Sequence, residues 1–444
     1  MPVSSRYSRP GFRLSATAAA TFTALALLAG VSTPSAAADN GKYRIGVVTF
    51  LSGAAAGPFG VPAANAAKLT VEALNAGKVP APYGKKGVNG IEIEIVLLDE
   101  AGGATKQTEE FRNLIQRQKV DAVIGYISSG DCLAIAPAAE ELGVPTIFFD
   151  CGTSKVFEVV KSPKYLFRTG LDAVVDNVAA ARYVAEARPH VKTVASIQQN
   201  YAWGQDSWND FILALKQLRP EVKVVSEQWP KLGQGQYGAE ISALSVSNPD
   251  LIHSSFWGGD MEALMLQGGA RGLFDKRTTV LTAGETGVET FKDNVPNGTL
   301  LGGRGPFGAY APKNALNDWF RPAFVAQFKA DPTYPAYKMV QAILGLKAAA
   351  EKAAKAGAMP TSDQVVQGLT GLTFEAPSGT VQMSRSKGHQ AVQSVSFGEY
   401  QYDAKSGKGS VTKVKTYAGE CLMPPDGTAA ADWIKAGFPG AKCQ

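Results

Sequence analysis

The chain has 444 residues, of which 45% are hydrophobic and 19% charged, so its composition is that of a globular protein and excludes a disordered chain. Its length exceeds that of one ordinary core, which predicts two lobes. The formal charge of +5 becomes 5 − 3 = +2 without Arg6, Arg9 and Arg13, and a near-neutral chain gives no reason to expect binding to nucleic acid or to an anionic membrane.

The N-terminal segment has the organisation of a secretory signal. Basic residues from Arg6 to Arg13 precede an uncharged, mostly apolar run at 14–31, and the small residues Ala36-Ala37-Ala38 follow. This order predicts a signal peptide at 1–38 that is cleaved after Ala38. No Cys lies near the cut, so we expect an exported, soluble protein without a lipid anchor.

Short apolar runs alternate with helical patterns in the following part of the chain. The predicted strands are at 44–50, 91–98, 122–126, 146–150 and 165–169, and the predicted helices between them are at 63–75, 105–119 and 133–142. Short buried strands separated by helices are typical of a parallel sheet with both faces covered.

The same rhythm then repeats. The second set of predicted strands is at 194–200, 222–229, 251–257, 280–285 and 299–303, with helices at 207–217 and 261–272. The chain turns helical at 315–356, and a polar, β-like tail follows at 381–383, 392–397 and 400–402. Two successive sets predict two similar α/β lobes.

Four cysteines in an exported protein indicate disulfides. Four cysteines allow three pairings. Cys421 and Cys443 both lie in the loop-rich tail, and Cys132 and Cys151 each follow a predicted strand of one sheet, so these two pairs are the candidates. Free buried thiols are the alternative.

The motifs of common catalytic chemistries are missing from this sequence. The segment at 233–238 fits G-x-G-x-x-G, but three residues separate it from the preceding strand, so we interpret it as a glycine-rich loop before a helix. We find no nucleophile elbow, no P-loop and no C-x-x-C, and the three histidines are scattered. The sequence therefore predicts no cofactor, no metal and no enzyme activity.

Polar and aromatic residues follow several predicted strands, where ligands of open α/β sheets bind. In the first lobe these segments are at 52–60, 128–131 and 151–154, and in the second at 200–204, 256–259 and 284–286. The first set offers hydroxyls and backbone N–H groups at a helix start, which suits an anion. The second set offers aromatic rings and a carboxylate, which suit an apolar body and a cation.

Several short motifs follow one another between about Arg44 and about Tyr402. They are IGVV at 45–48 with SG at 52–53 and FG at 59–60, VIG at 123–125 with SS at 128–129, GVP at 143–145 leading to GTS at 152–154, FRT at 167–169, YAWG at 201–204, and GTV at 379–381 with GH at 388–389. In this order the chain resembles the periplasmic substrate-binding proteins of the branched-chain amino-acid group, the receptors of ABC importers. The resemblance implies the type I periplasmic binding protein fold, in which two doubly wound parallel-sheet lobes are joined by three crossings and close on a ligand.

The resemblance also implies how the chain is divided. Crossings near Gly170, Arg304 and Arg385 would give a first lobe at 39–169, a second lobe at 170–303, a return to the first lobe at 304–385, and a C-terminal segment at 386–444 on the second-lobe side with a disulfide-stapled tail. It implies a periplasmic monomer that captures an amino acid or an aromatic or aliphatic carboxylate and delivers it to an ABC permease in the inner membrane.

By resemblance, the ligand-binding residues come from both lobes. The ligand carboxylate would be held by Ser129, Gly152 and Thr153, with Ser128 beside them. The second lobe would contribute Glu285 as the partner of an ammonium group. The aromatic residues of the predicted site are Trp203, Tyr201, Trp257 and Phe59.

Departures from the family pattern leave alternatives open. Asn200, Trp203 and Trp257 stand where the family often has Asp or Tyr, which favours a bulkier or flatter ligand such as an aromatic acid. The alternatives are that Ser129 is a helix cap, which it can be while it also binds, that the tryptophans are core residues, and that Glu285 is a solvated loop acid. A sensor of the same fold for an amide or urea, and a secreted hydrolase that uses Ser129, are the competing functions.

Overall fold

Buried strands alternate with helices along the described residues, 41–441 and 443, of the computed structural model. The strands are β1 Tyr43–Thr49, β2 Ile93–Asp99, β3 Ala122–Gly125, β4 Thr146–Phe148, β5 Leu166–Arg168, β6 Thr193–Ile197, β7 Lys223–Gln228, β8 Leu251–Ser254, β9 Thr278–Leu281, β10 Leu300–Gly302, β11 Thr373–Ala376, β12 Gly379–Arg385, β13 Gln390–Val392, β14 Val395–Asp403 and β15 Lys408–Tyr417. The predicted signal peptide, 1–38, lies outside the described residues.

Helices connect most of these strands. They are α1 Val61–Ala76, α2 Gly103–Gln116, α3 Ser129–Leu142, α4 Val156–Val159, α5 Ala173–Ala187, α6 Ala202–Leu218, α7 Gly238–Ser247, α8 Gly258–Gly269, α9 Ala315–Phe328, α10 Tyr334–Ala353, α11 Ser362–Leu369 and α12 Ala430–Lys435. None of the helices in the described ranges is long and apolar enough to cross a membrane.

The first sheet has eight strands in the order β11-β12-β13-β5-β4-β3-β1-β2. Strands β1 to β5 run parallel, and β11 and β12 extend the sheet with antiparallel pairs. Ile45, Val47 and Val48 of β1 are at most 1% exposed, because helices cover both faces of the sheet. We call this sheet, with α1–α4 and α9–α11, the first lobe.

The second sheet has seven strands in the order β15-β14-β10-β9-β8-β6-β7. Strands β6 to β10 are parallel, whereas β14 and β15 pair antiparallel at one edge. Helices α5, α6 and α12 share one hydrophobic cluster, and α7 and α8 share another. This sheet and these helices form the second lobe, so the prediction of two parallel-dominated α/β lobes is confirmed.

The chain passes between the two sheets three times, after β5, after β10 and after β13. The first two crossings lie close to the predicted positions at Gly170 and Arg304. The third lies at 393–394 rather than near Arg385, because a turn at 386–389 returns the chain into β13, which pairs with β12 and β5. The single strand predicted at 392–397 is therefore the end of one strand and the start of another, in different sheets.

Buried amides hold the first and third crossings together. Gln341 of α10 donates to the carbonyl oxygen of Thr169 at 2.6 Å and to the side chain of Gln393 at 2.8 Å. Gln390 donates to the carbonyl oxygen of Gly170 at 2.9 Å. Since unpaired buried polar groups are costly, these hydrogen bonds fix the relative positions of the two segments.

Both candidate disulfides are present. Cys132 of α3 is bonded to Cys151, which follows β4, and Cys421 is bonded to Cys443 in the tail. The first bond ties α3 to the loop at 151–154, which faces the second lobe. The second bond closes a tail whose residues pack on α5 and α6. The predicted pairings are therefore confirmed.

Candidate functional site

A small cavity lies between the carboxyl ends of the strands of both sheets. Its lining residues are Phe59, Ile127, Ser129, Gly152, Tyr201, Trp203, Trp257, Arg304 and Tyr334. The space between them is about 230 Å³. It is so finely divided that it has room for about one water molecule. A ligand with the size of an amino acid therefore enters only when the lobes separate or these side chains move.

The first-lobe wall is built at the start of α3. Ser128 is the N-cap residue, and its side chain accepts a hydrogen bond from the backbone N–H of Asp131 at 3.4 Å. Capping is therefore done by Ser128, which leaves the side chain of Ser129 on the cavity wall, where it accepts the N–H of Thr153 at 3.1 Å. Ser128 and Thr153 do not line the cavity.

The second-lobe wall is aromatic, as predicted for Tyr201, Trp203 and Trp257. Trp203 lies in the first turn of α6 and donates its indole N–H to the carbonyl oxygen of Ser255 at 2.8 Å. Trp257 donates to the hydroxyl of Tyr201 at 2.7 Å. Because each indole N–H is satisfied within the second lobe, the ring faces are what this wall presents to the cavity.

Aromatic contacts close the cavity from the first lobe. The ring of Phe59 meets Trp257 edge to face with centroids 5.1 Å apart, and it meets Tyr334 at 5.4 Å. Phe59 lies in the π-helical turn Ala56–Gly60 and is 1% exposed. The resemblance named Phe59 among the aromatic residues of the predicted site, and the structure makes it a buried contact between the lobes.

Gly152 allows the two walls to approach. A Cβ atom at this position would lie 2.3 Å from Cε3 of Trp203 and 2.9 Å from Nη2 of Arg304. Real side chains do not come this close, so only glycine permits the observed packing of Trp203 against the first lobe. The resemblance named Gly152 for its backbone, and the structure adds this steric reason.

Arg304 is the main site residue that the sequence reasoning missed as a ligand contact. It lies on the second crossing, is 4% exposed and places its guanidinium 4.3 Å from the ring centre of Trp203. Nε donates to Asp176 at 3.1 Å, and Nη1 donates to Oδ1 of Asp150 at 2.7 Å. Its place directly after a strand of the second sheet was the signal that could have identified it.

Buried charges surround Arg304. Lys338 of α10 donates to the same Asp150 oxygen at 2.7 Å, so two cations face two carboxylates. Burial opposes the charge of Arg304, but Asp150 and Asp176 outweigh it and raise the pKa of its guanidinium above the usual value. Burial raises the pKa of Asp176 to about 6, in spite of Arg304. Arg304 is therefore a permanently charged group at the cavity wall.

Tyr334 supplies an unused polar group. It is the first residue of α10, is fully buried and lines the cavity. Its hydroxyl lies beside the Arg304 guanidinium but makes no hydrogen bond of good geometry among the described residues. Burial raises the pKa of this hydroxyl above its usual value, although Arg304 acts in the opposite direction. Leaving such a group unpaired costs about 1–3 kcal/mol, so the hydroxyl is ready to bond a ligand.

Glu285 lies outside the cavity lining, although the resemblance made it the partner of a ligand ammonium. Its carboxylate accepts the backbone N–H groups of Ala309 at 3.0 Å and of Tyr334 at 2.9 Å. Thr333, the N-cap residue of α10, makes no capping hydrogen bond of its own. Glu285 of the second lobe therefore caps a helix of the first lobe, and burial raises its pKa to about 7.

Further hydrogen bonds join the lobes beside the cavity. Asp206 of α6 accepts a hydrogen bond from the hydroxyl of Thr153 at 2.6 Å and forms an ion pair with Lys155 at 2.6 Å. The backbone N–H of Gly259 donates to the carbonyl oxygen of Ala54 at 3.0 Å. These contacts join the two lobes directly across the cleft.

Within the described part of the chain, no group of three or more His, Cys, Asp or Glu side chains is placed to hold a metal ion. None of the histidines partners Ser129. His253 bonds to Gln198 and Asn177, and His389 bonds to the carbonyl oxygen of Leu166.

Two α/β lobes that meet at a cavity lined by their strand ends define a bilobed binding protein. Residues 42–408 match the periplasmic binding protein family, so the chain belongs to this family. Its curated relatives are Leu/Ile/Val-binding protein homologues. Over 200 residues it is 28% identical to Leu/Ile/Val-binding protein homolog 6 of Brucella abortus, a match that covers 45% of this chain and 47% of that protein. The match thus spans about half the length of the curated relatives.

Solved structures share the fold. A solute-binding protein of an ABC transporter from Rhodopseudomonas palustris BisB5, in complex with 3,4-dihydroxybenzoic acid, superposes with a TM-score of 0.73 at 20% identity over 85% of this chain and 98% of that chain. A branched-chain amino acid transporter substrate-binding protein from Streptococcus pneumoniae, in complex with isoleucine, has a TM-score of 0.69 at 19% identity over 84% of this chain and 99% of that chain.

Proposed function

We propose that this protein is an exported receptor that captures a small carboxylate, preferably an aromatic acid, between its lobes and delivers it to an ABC permease. The mechanism is binding without chemistry. Ligand contacts to both walls stabilise the closed arrangement relative to the open one by the difference in ligand affinity between the two. The family of the chain and the solute-binding function of its structural neighbours support this class of function.

The observation that carries the proposal is the charge of the cavity wall. The described residues that line the cavity include the cation Arg304 and no carboxylate. An α-amino acid needs an acceptor for its ammonium group, and Glu285 is bonded to two backbone N–H groups instead. A benzoate-like acid needs a cation, hydroxyl donors and flat apolar surfaces, which Arg304, Ser129 and the indole rings offer.

The second candidate is an α-amino acid, which the curated relatives favour. The hydrolase alternative is weakened because Ser129 accepts the N–H of Thr153 and has no histidine partner. A sensor for a neutral amide or urea would not need the positive charge of Arg304 at the cavity wall. A ligand panel separates these candidates.

The panel contains benzoate, 4-hydroxybenzoate, leucine, phenylalanine, acetamide and urea, and the readout is the melting temperature followed by calorimetric titration. We expect a benzoate to raise the melting temperature with 1:1 binding, because a ligand of the folded state stabilises it by mass action. If leucine alone raised the melting temperature, the ligand would be an amino acid and not an aromatic acid. No shift with any compound would contradict the receptor function.

Tyr334→Phe tests the site itself. It removes a hydroxyl that has no partner, so the fold should keep its stability while benzoate affinity falls about tenfold, the effect of about 1.4 kcal/mol. Tyr43→Phe is the matched control, since it removes another buried, unpartnered hydroxyl that does not line the cavity. Arg304→Gln should abolish binding, and an unchanged affinity in both site variants would refute the assignment.

We also propose that the mature protein is periplasmic and begins after Ala38. The mass of the protein recovered from the periplasm of an expressing bacterium tests this position. A full-length mass, or retention in the cytoplasm, would contradict it.

A further inference from the structure

A second and larger groove lies beside the crossings, away from the cavity. Its walls are α4 with the loop that follows, the turn between β12 and β13, and the tail at 423–430. The groove encloses about 670 Å³. Pockets for small organic molecules usually measure about 300–1,000 Å³, so the groove has the volume of such a pocket.

Apolar side chains form much of the groove surface. Phe157 and Val160 contribute from the first lobe, and Met423, Pro424 and Pro425 contribute from the tail. A ligand that fits this surface has an apolar body, because burial of apolar area is the main source of affinity there.

The charges of the groove are unbalanced in favour of cations. Two of the acids that line it are already engaged: Asp172 pairs with Arg168 at 3.0 Å, and Asp426 accepts the backbone N–H groups of Ser386 at 2.7 Å and Lys387 at 3.0 Å. The carboxylate of Asp426 keeps its charge, so the three cations Lys161, Arg385 and Lys387 face the two acids Glu158 and Asp426, which leaves an excess of one positive charge.

Arg385 has a donor to spare. Its Nε is buried without a hydrogen-bond partner, and its nearest ion pair, to Glu420, is long at 3.8 Å. A buried donor without an acceptor is costly, and an anionic ligand group in the groove would satisfy it. Excess positive charge, a buried unpaired donor and apolar walls together describe a site for an amphipathic anion.

The groove also touches both lobes. The tail belongs to the second lobe, since Met423 and Ala430 pack in the cluster of α5 and α6, whereas α4 and the β12–β13 turn belong to the first. Ser154 lines the groove and Gly152, two positions earlier in the same loop, lines the cavity. A ligand in the groove is therefore in contact with the segments that move relative to each other when the lobes open.

We propose that this groove is a second binding site, for a small organic anion with an apolar ring system, and that its occupancy is coupled to lobe closure. The site does not depend on the identity of the ligand in the cavity. One wall of the groove is the tail between Cys421 and Cys443, so this disulfide would hold that wall in place.

The test uses two fluorescent probes with the same rings, 8-anilinonaphthalene-1-sulfonate and its uncharged analogue N-phenyl-1-naphthylamine. We expect saturable 1:1 binding of the sulfonate, about tenfold tighter than that of the neutral probe. In the variant Arg385→Gln/Lys387→Gln this preference should disappear. Lys216→Gln on the exposed surface of α6 is the control and should keep it.

Ala429→Trp, which places a large ring at the exposed rim of the groove, should weaken both probes about tenfold in a protein with an unchanged circular dichroism spectrum. Displacement of the sulfonate by excess 4-hydroxybenzoate at the cavity would be partial and reciprocal if the sites are coupled. Simple competition between the two, or probe binding that none of the groove variants changes, would overturn the proposal. The probe titrations of the groove variants use no cavity ligand, so they fail independently of the proposed function, whereas the displacement experiment rests on it.

Discussion

At the level of single residues, the ligand preference of the cavity depends on which polar groups remain unpaired. Arg304 has five N–H donors, and the protein fills four of them, with Asp176, two oxygens of Asp150 and the carbonyl oxygen of Leu171. The remaining N–H on Nη2 and the neighbouring hydroxyl of Tyr334 are both able to donate. The cavity wall thus offers hydrogen-bond donors and few acceptors. A carboxylate suits such a wall, because it only accepts hydrogen bonds.

Gly152→Ala tests how tightly the lobes must fit. The added methyl group would meet Trp203 at 2.3 Å, so the closed arrangement becomes strained while each lobe keeps its own packing. We expect ligand affinity to fall at least about tenfold, with little change in the melting temperature without ligand. Gly57→Ala, where a Cβ atom meets nothing, is the control. Unchanged affinity in Gly152→Ala would show that the observed closed packing is not the binding form.

The strand-end rule found much of the site but could not find all of it. Ser129, Gly152, Tyr201, Trp203 and Trp257 follow strands, and the parallel topology brings them together. Arg304 also follows a strand, β10, but the resemblance assigned this segment only to a crossing between the lobes. Tyr334 could not be found by this rule, because it begins a returning helix that does not follow a strand of either sheet. Glu285 also follows a strand, but its carboxylate is turned towards the backbone N–H groups of Ala309 and Tyr334. These lie far along the chain, so no local sequence pattern reveals this contact.

At the level of elements, α10 depends on a cap from another part of the fold. Its first-turn N–H groups cannot bond within the helix, and Glu285 accepts that of Tyr334 from the second lobe. This arrangement makes the start of a 20-residue helix sensitive to the position of the other lobe. It also explains why the carboxylate is buried.

Glu285 should make lobe closure dependent on pH. Burial raises its pKa to about 7 in the closed arrangement, whereas an exposed Glu in open lobes has the ordinary value of 4.5. The closed form therefore binds the proton more tightly, and its relative stability is greatest below pH 4.5 and falls as the pH rises to about 7. Above that pH the contribution is constant.

The measurement is benzoate affinity from pH 5 to pH 8, with affinity expected to weaken as the pH rises. Glu285→Gln should flatten this dependence, because the amide does not titrate. Glu289→Gln, an exposed acid nearby, should leave it unchanged. An identical profile in wild type and Glu285→Gln would contradict the role of this residue.

At the level of the whole molecule, the lobes are joined by three crossings and by direct bonds across the cleft. The alternation of buried strands and helices predicted the lobes and their parallel strands, because that pattern is local. The third crossing was predicted near Arg385 but lies after β13. The turn and the three-residue strand β13 are too short for a hydrophobic pattern that would show which sheet they join.

Asp206→Ala should open the unliganded protein. Asp206 bonds to Thr153 and Lys155 of the opposite lobe, and its removal takes away both contacts. We expect a larger radius of gyration in solution scattering than for the wild type, and a return to the wild-type value at saturating ligand. Asp275→Ala, an exposed acid of the second lobe without such a contact, is the control. Superimposable profiles of Asp206→Ala with and without ligand would contradict a closing mechanism.

The bonds of Asp206, Glu285 and Gly259 across the cleft also affect how fast the ligand can pass from the receptor to the permease. For a receptor of the proposed kind, these bonds must break before the ligand can leave for the permease, so they add to the barrier of release. Variants that lack one of them are therefore expected to hand over their ligand faster while holding it less tightly.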